Sequence, residues 1–271
     1  KVIISHDVDH ITVWEHKKDL IIPKFIIRSF IEYITGNISK LELWGRLKSL
    51  VKNKWNNIEE LMKFNKENNI PSTFFIAVSN GMGLNYSLRD ASSWAKKILQ
   101  EGFDVGVHGI SYDVFSDIKK EHEIFVNLTA LKKFGIRMHY LRNNDNTLKF
   151  LSNTGYLFDS SIFSISNPFK IGNLWEFPLH IMDGYIICKN ARWQNQSLQK
   201  IKDSTKIIID TVYNRKIKYL TILFHDRYFN DGFQTWKNWY LWLVEYLKLN
   251  KFNFISYREA INELELNSKQ Q

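Results

Sequence analysis

Short apolar runs recur along this chain, and each is followed by a stretch whose apolar residues return every three or four positions. The first kind reads as buried strand and the second as amphipathic helix. Val2-Ile3-Ile4 opens a strand that runs out into Ser5-His6-Asp7-Val8-Asp9-His10. Ile58, Leu61 and Met62 mark a helix ending near Asn69, and residues 72–78 form a buried strand. Residues 88–100 are predicted helical, with Ala91, Trp94, Ala95 and Ile98 on one face and Gly102 beyond the end. A strand over 103–108, a helix over 119–134 stopped by Gly135 and a strand over 136–142 follow. A short helix at 146–153, closed by Gly155, leads to strands at 156–162 and 174–182. A long helix (197–214), a strand (219–225), an aromatic-rich helix (236–249), a strand (252–256) and a terminal helix complete the pattern.

Between about residues 14 and 55 the pattern is different. Residues 21–31 are apolar with interspersed bases, and Leu41, Leu43, Leu47, Leu50 and Val51 continue at helical spacing. This reads as a helical insertion after the first strand. It either packs on the main body or serves as a lid, a dimer contact or a membrane-surface patch.

Strands that alternate with helices and are apolar on both faces imply a parallel sheet wrapped by helices. About seven or eight such strands favour a (β/α) barrel over an open sheet. No Gly-x-Gly-x-x-Gly follows the first strand, so the signature of a dinucleotide-binding sheet is missing. Without internal repeats or a linker, residues 1–271 are expected to form one domain carrying the insertion.

Composition adds limits. The hydrophobic share of 44% and charged share of 24% are those of an ordinary globular chain. Its one cysteine, Cys188, excludes an internal disulfide and any cysteine-based metal cluster. The net charge of +9 favours anionic partners. The lysines are scattered, however, and no arginine-rich stripe appears, so nucleic acid is not an expected partner. No apolar run is long enough to span a membrane. Lys1 leads directly into a strand without a leader pattern, and residues upstream of it are left open. The expected location is the cytoplasm, with the inner face of the membrane as the alternative, and oligomeric state is not legible.

The chemistry gathers where apolar runs stop. In parallel α/β barrels, functional residues sit at the carboxyl ends of the strands. Those positions give Asp7 and Asp9, then His108, then His139 with Arg142, then residues 176–183, then His225 with Asp226. Asp7 and Asp9 point the same way in an extended strand, and two facing carboxylates call for a cation or a shared proton. Nitrogen and oxygen donors without thiolates suit zinc or a similar divalent ion.

Several of these segments resemble motifs of the polysaccharide deacetylase superfamily (NodB homology, carbohydrate esterase family 4), whose fold is a distorted (β/α) barrel. Asp7-Val8-Asp9 resembles its first motif, which implies Asp7 as general base and Asp9 as metal ligand. The segment from Gly106 to Tyr112 resembles its His-x-x-x-His motif, with Tyr112 in place of the second histidine. Arg142 resembles the arginine that pairs with the base, and Leu223-Phe224-His225-Asp226 the motif that carries the general acid. Tyrosine at 112 together with His139-Tyr140-Leu141-Arg142 resembles a divergent branch linked to surface-glycan synthesis. The expected ligands are therefore Asp9, His108 and His139, with Asp113, His6 and His10 in reserve. Strand alternation sets His139 opposite Arg142 unless a bulge intervenes.

The resemblance implies removal of an N-acetyl group from a sugar of a surface glycan or its precursor. Asp7 would act as base and His225 as acid, backbone N–H groups near Asn143 would hold the oxyanion, and Tyr112 and Asp183 would contact substrate. Trp175 and Trp193 are either sugar-stacking or core residues. The alternatives are another amide-transforming enzyme on the same scaffold and a glycan-binding pseudoenzyme.

Overall fold

The structure, a computed structural model, describes residues 1–189 and 191–268. In chain order, β1 (Val2–Val8) is followed by α1 (Ile21–Ile34), α2 (Lys40–Val51) and α3 (Ile58–Glu67). Then come β2 (Thr73–Ile76), α4 (Leu88–Gln100), β3 (Asp104–Gly109), α5 (Phe115–Thr129), β4 (Gly135–Met138) and α6 (Thr147–Thr154). The second half holds β5 (Phe158–Asp159), β6 (Phe169–Ile171), β7 (Leu174–Glu176), β8 (Ile181–Met182), α7 (Asp183–Cys188), α8 (Leu198–Asn214), β9 (Leu220–Leu223), α9 (Gln234–Leu249) and α10 (Tyr257–Ser268).

β1 is buried along its whole length because it lies inside the sheet, paired in parallel with β2 on one side and β9 on the other. The sheet order is β6-β7-β5-β4-β3-β2-β1-β9-β8, and only β6 is antiparallel. β7 and β8 lie in one stretch, residues 174–182, with Pro178 between them. Its first half pairs with β5 and its second with β9, so the chain itself joins the two ends of the sheet. Leu179 N–H donates to Ile162 O (2.7 Å) at that seam. The result is a curled, distorted α/β barrel of the expected class.

Residues 252–256, read as a strand, make only one bridge, Val2 with Phe254. β2 begins opposite Ser5, so the edge of β1 beside Val2 is vacant, and Asn253 O and Ile255 N–H fill it. The barrel is filled from below. Ile3, Phe75, Phe158, Phe177, Tyr219 and Tyr257 form a core distinct from the one between sheet and helices. The Phe158 and Tyr257 rings stack 4.2 Å apart. Gly106 and Gly135 make room for this packing, since a Cβ on either would run into the ring of Phe75 or Phe158.

Outside the barrel, Asp159 and Glu176 lie side by side across β5 and β7. Both are fully buried, and Asp159 Oδ2 and Glu176 Oε2 have no donor. Burial raises both pKa values, and the Asp159 charge pushes Glu176 well above the usual carboxylate range. The folded state therefore binds more protons than the unfolded chain. Stability should be full below the ordinary carboxyl pKa of about 4 and should fall as pH rises through the elevated folded value. Glu176→Gln should flatten this decline in a series of thermal midpoints against pH. The same slope in both proteins would contradict it.

Candidate active site

β1, β3, β4 and β9 deliver their carboxyl ends to one rim. Asp7 is the penultimate residue of β1, and Asp9 lies just past its end. His108 is paired with Arg137 across β3 and β4, and His139 follows β4 directly. Arg137 and His139 are two residues apart in extended chain and so point the same way. The strand stops there because Tyr140 and Leu141 take left-handed conformations (φ 58° and 53°).

Asp9, His108 and His139 converge, each offering one ligand atom within 4.8 Å of the others. Asp9 Oδ1 is 3.3 Å from His108 Nε2 and 3.8 Å from His139 Nδ1. His108 Nδ1 faces Arg137 O (3.0 Å) and His139 Nε2 faces Met82 O (3.3 Å). Those carbonyls take the imidazole protons, which leaves lone pairs on His108 Nε2 and His139 Nδ1, 3.1 Å apart. Asp9 Oδ1 is buried without a donor.

Three acceptors facing one another repel unless a cation lies between them. A proton on His108 would relieve part of this, but a metal ion satisfies all three. Tetrahedral ligands at ~2.0 Å from zinc stand about 3.3 Å apart, close to the separations found here. Burial would lower the His108 pKa, but the Asp7 and Asp9 charges raise it, so without an ion this ring is where a proton would sit. Burial drives His139 down to about 4, so it stays neutral, although Asp9 opposes the effect. Burial also disfavours charge on Asp9, but His108 and the neighbouring imidazoles hold its carboxyl well below the usual range. These residues fit a divalent ion.

Two further groups flank the cluster. Asp7 Oδ1 accepts from Arg137 Nη1 (3.0 Å), while Asp7 Oδ2 lies 3.9 Å from His108 Nε2. His225 Nε2 is 3.8 Å from Asp9 Oδ2, and its Nδ1–H donates to Asp183 Oδ1 (2.8 Å). Burial would lower the His225 pKa, but the Asp183 charge and hydrogen bond overcome it and raise the imidazole to about 10.

Three sequence expectations need correction. Arg142 does not meet Asp7. It donates to Ile110 O (2.6 Å) and His139 O (3.2 Å), because the left-handed turn at Tyr140 and Leu141 breaks the strand alternation before it. The arginine on Asp7 is Arg137, fully buried, which also donates to Ser160 O and Oγ and to Tyr257 Oη. Asp183 has no oxygen left for substrate, since Oδ1 is on the His225 ring and Oδ2 accepts from His225 N–H (2.8 Å). Tyr112 lies outside the cavity lining, beneath the Arg142 guanidinium (5.1 Å).

Of the reserve ligands, His6 is fixed between Phe224 O and Asn65, Asp113 is exposed, and His10 joins a separate network with His16 and Glu15. Asn143 is on the surface and Trp175 is in the inner core, whereas Trp193 lines the cavity.

The rim opens into a cavity of about 1000 Å³. One wall comes from the insertion, through Ile21, Lys24, Phe25 and Arg28. Tyr185 and Trp193 also line it, and Arg227 lies over the Trp55 and Phe25 rings (4.4 and 4.9 Å). Sequence reasoning missed Arg137, although its two-residue spacing from His139 carried the signal, and it missed Arg227 and the α1 wall.

No protein-family profile and no curated protein sequence matches the chain. Solved structures do. A protein assigned as a polysaccharide deacetylase from Mycobacterium smegmatis superposes with a TM-score of 0.60 at 14% identity, over 94% of this chain and 92% of that one. The chain shares the fold of that protein. A second protein so assigned, from Pseudomonas aeruginosa PAO1, matches at TM-score 0.59 and 16% identity, over 79% of this chain and 75% of that one. The Puue allantoinase shares this deacetylase fold at TM-score 0.60 and 16% identity, over 79% and 74% of the two chains.

Proposed function

We propose that this protein is a metal-dependent N-deacetylase acting on an N-acetylated sugar of a surface glycan or its precursor. One observation carries the reading: a cluster of three candidate ligands lies between a buried carboxylate–arginine pair and a histidine whose ring is held by Asp183. A divalent ion held by Asp9, His108 and His139, with zinc the best match to the donors, supplies Lewis acidity toward an amide oxygen and a nearby water.

This chain's own groups supply the proton transfers. Asp7 Oδ2 is not used by Arg137 and takes a proton from the attacking water as the oxygen–carbon bond forms. Arg137 holds the other oxygen and fixes the carboxylate toward the rim. His225 Nε2 gives its proton to the amine nitrogen as the carbon–nitrogen bond breaks, while Asp183 fixes the ring. Acetate and an amino sugar leave. The aromatic lining residues Tyr185 and Trp193 suit a sugar, and Arg227 suits an anionic part of the same substrate.

The test is acetate release from N-acetylated sugars by zinc-loaded protein. Asp7→Asn keeps an acceptor for Arg137, so it should retain fold and metal while kcat falls about 10²–10⁴-fold. Unchanged turnover in that variant would overturn the assignment of the base. No acetate from any sugar, with hydrolysis of a cyclic amide instead, would move the reading to ring opening.

A further inference from the structure

The insertion buries several charged groups and leaves several large apolar residues outside. The inward positions of α1 include Ser29 and Glu32, and those of α2 include Glu42 and Arg46. Glu32 and Arg46 form an ion pair (2.6 Å) that is almost fully buried, and Arg46 also donates to Gly232 O (2.7 Å). The outward positions are Ile27, Phe30 and Ile34 on α1 and Leu41, Trp44 and Val51 on α2. Ile34 is 79% exposed, Trp44 66% and Val51 86%. Both sets recur at helical spacing, so each helix carries an apolar stripe facing solvent. Such a surface on a water-soluble body marks an interaction site.

Charge selects the partner. Residues 14–55 hold nine Lys and Arg against four Asp and Glu, which is +5 of the chain's +9. All four acidic groups are engaged by the protein. Glu15 accepts from Ile11 and Thr12 N–H, Asp19 from Ile21 N–H and Asn85, Glu32 from Arg46 and Gln194 N–H, and Glu42 from Ser39 and Gln234 N–H. Lys17, Lys40, Lys48 and Lys52 are exposed outside the cavity, and Lys24 and Arg28 are exposed at its wall. A second copy would set this positive surface against itself in a two-fold contact. An anionic bilayer complements both its charge and its apolar residues. No helix among the described residues is long and apolar enough to cross a membrane, so the contact lies along the surface.

We propose that the outer face of α1 and α2 docks on an anionic lipid surface. Since α1 also forms a wall of the cavity, docking sets the cavity mouth beside the headgroups, within reach of a lipid-carried substrate. The docking itself does not depend on the deacetylase reading, and failure to bind lipid would leave the acetate assay untouched.

The test is flotation of the whole protein with phosphatidylcholine vesicles, with and without phosphatidylglycerol. The protein should float only with the anionic vesicles and should be released by salt. The triple variant Ile27→Ser, Phe30→Ser, Trp44→Ser should stay in solution. Lys17→Gln, Lys40→Gln and Lys48→Gln should each weaken binding about fivefold. These side chains are outside the cavity lining and exposed, so thermal midpoints should not move. Brominated acyl chains should quench Trp44 in the unmodified chain, with the effect lost in Trp44→Phe, so the proposal stays testable if the triple variant misfolds. Three results would overturn it: no flotation with anionic vesicles, flotation of the serine variant like the parent, or a dimer by light scattering that the serine variant splits.

Discussion

Alanine at His139, or at Asp9, will give protein that no longer retains a divalent ion and no longer turns over substrate. Each change removes one of the three candidate ligand atoms that converge on one point. Loss of a group that only orients a ligand costs about 10–100-fold in metal affinity, and loss of a ligand costs more. His139 is the decisive position, because it lies past the strand end, outside the segment that resembles the His-x-x-x-His motif, and is oriented by Met82 O. His10→Ala is the control, since His10 lies in a separate network with His16 and Asp19 and should leave this ion in place. Elemental analysis and competition with a chelator measure both. Full metal occupancy in His139→Ala at the parental affinity would remove that residue from the ligand set.

Arg137→Met will destabilise the fold by about 3–5 kcal/mol, because it leaves the Asp7 carboxylate buried without its cation. The same change removes the donors to Ser160 and Tyr257, so the floor beneath the rim loses its polar satisfaction. Arg142→Met should cost much less, since its guanidinium is partly exposed and holds two carbonyls at the cavity's outer edge. Denaturant unfolding of the two variants gives the contrast. Equal destabilisation would mean that Asp7 does not depend on Arg137.

The strand ends were legible because parallel strands buried on both faces leave continuous apolar runs, and the chemistry begins where those runs stop. Asp9, His108 and His139 could be named in this way, although nothing in the sequence shows their separations. The arginine was misread for a local reason. Extending the fourth strand to 142 put Arg142 in the motif, whereas the left-handed turn at Tyr140 and Leu141 ends the strand at Met138 and leaves Arg137 in phase with His139. Asp183 looked available because its partner, the backbone and ring of His225, lies 42 residues further along. In α1 apolar residues fall on every side of the helix, so periodicity could not reveal that its inward side carries Ser29 and Glu32.

The aromatic floor beneath Arg137 has a further consequence. Tyr257 from the last helix, with Phe75, Phe158 and Phe177, seals the lower end of the barrel. Traffic through the molecule is thus a cul-de-sac: whatever enters at the rim must back out through the same doorway. Two products made there would queue for a single exit, and the slower to leave would block the next arrival.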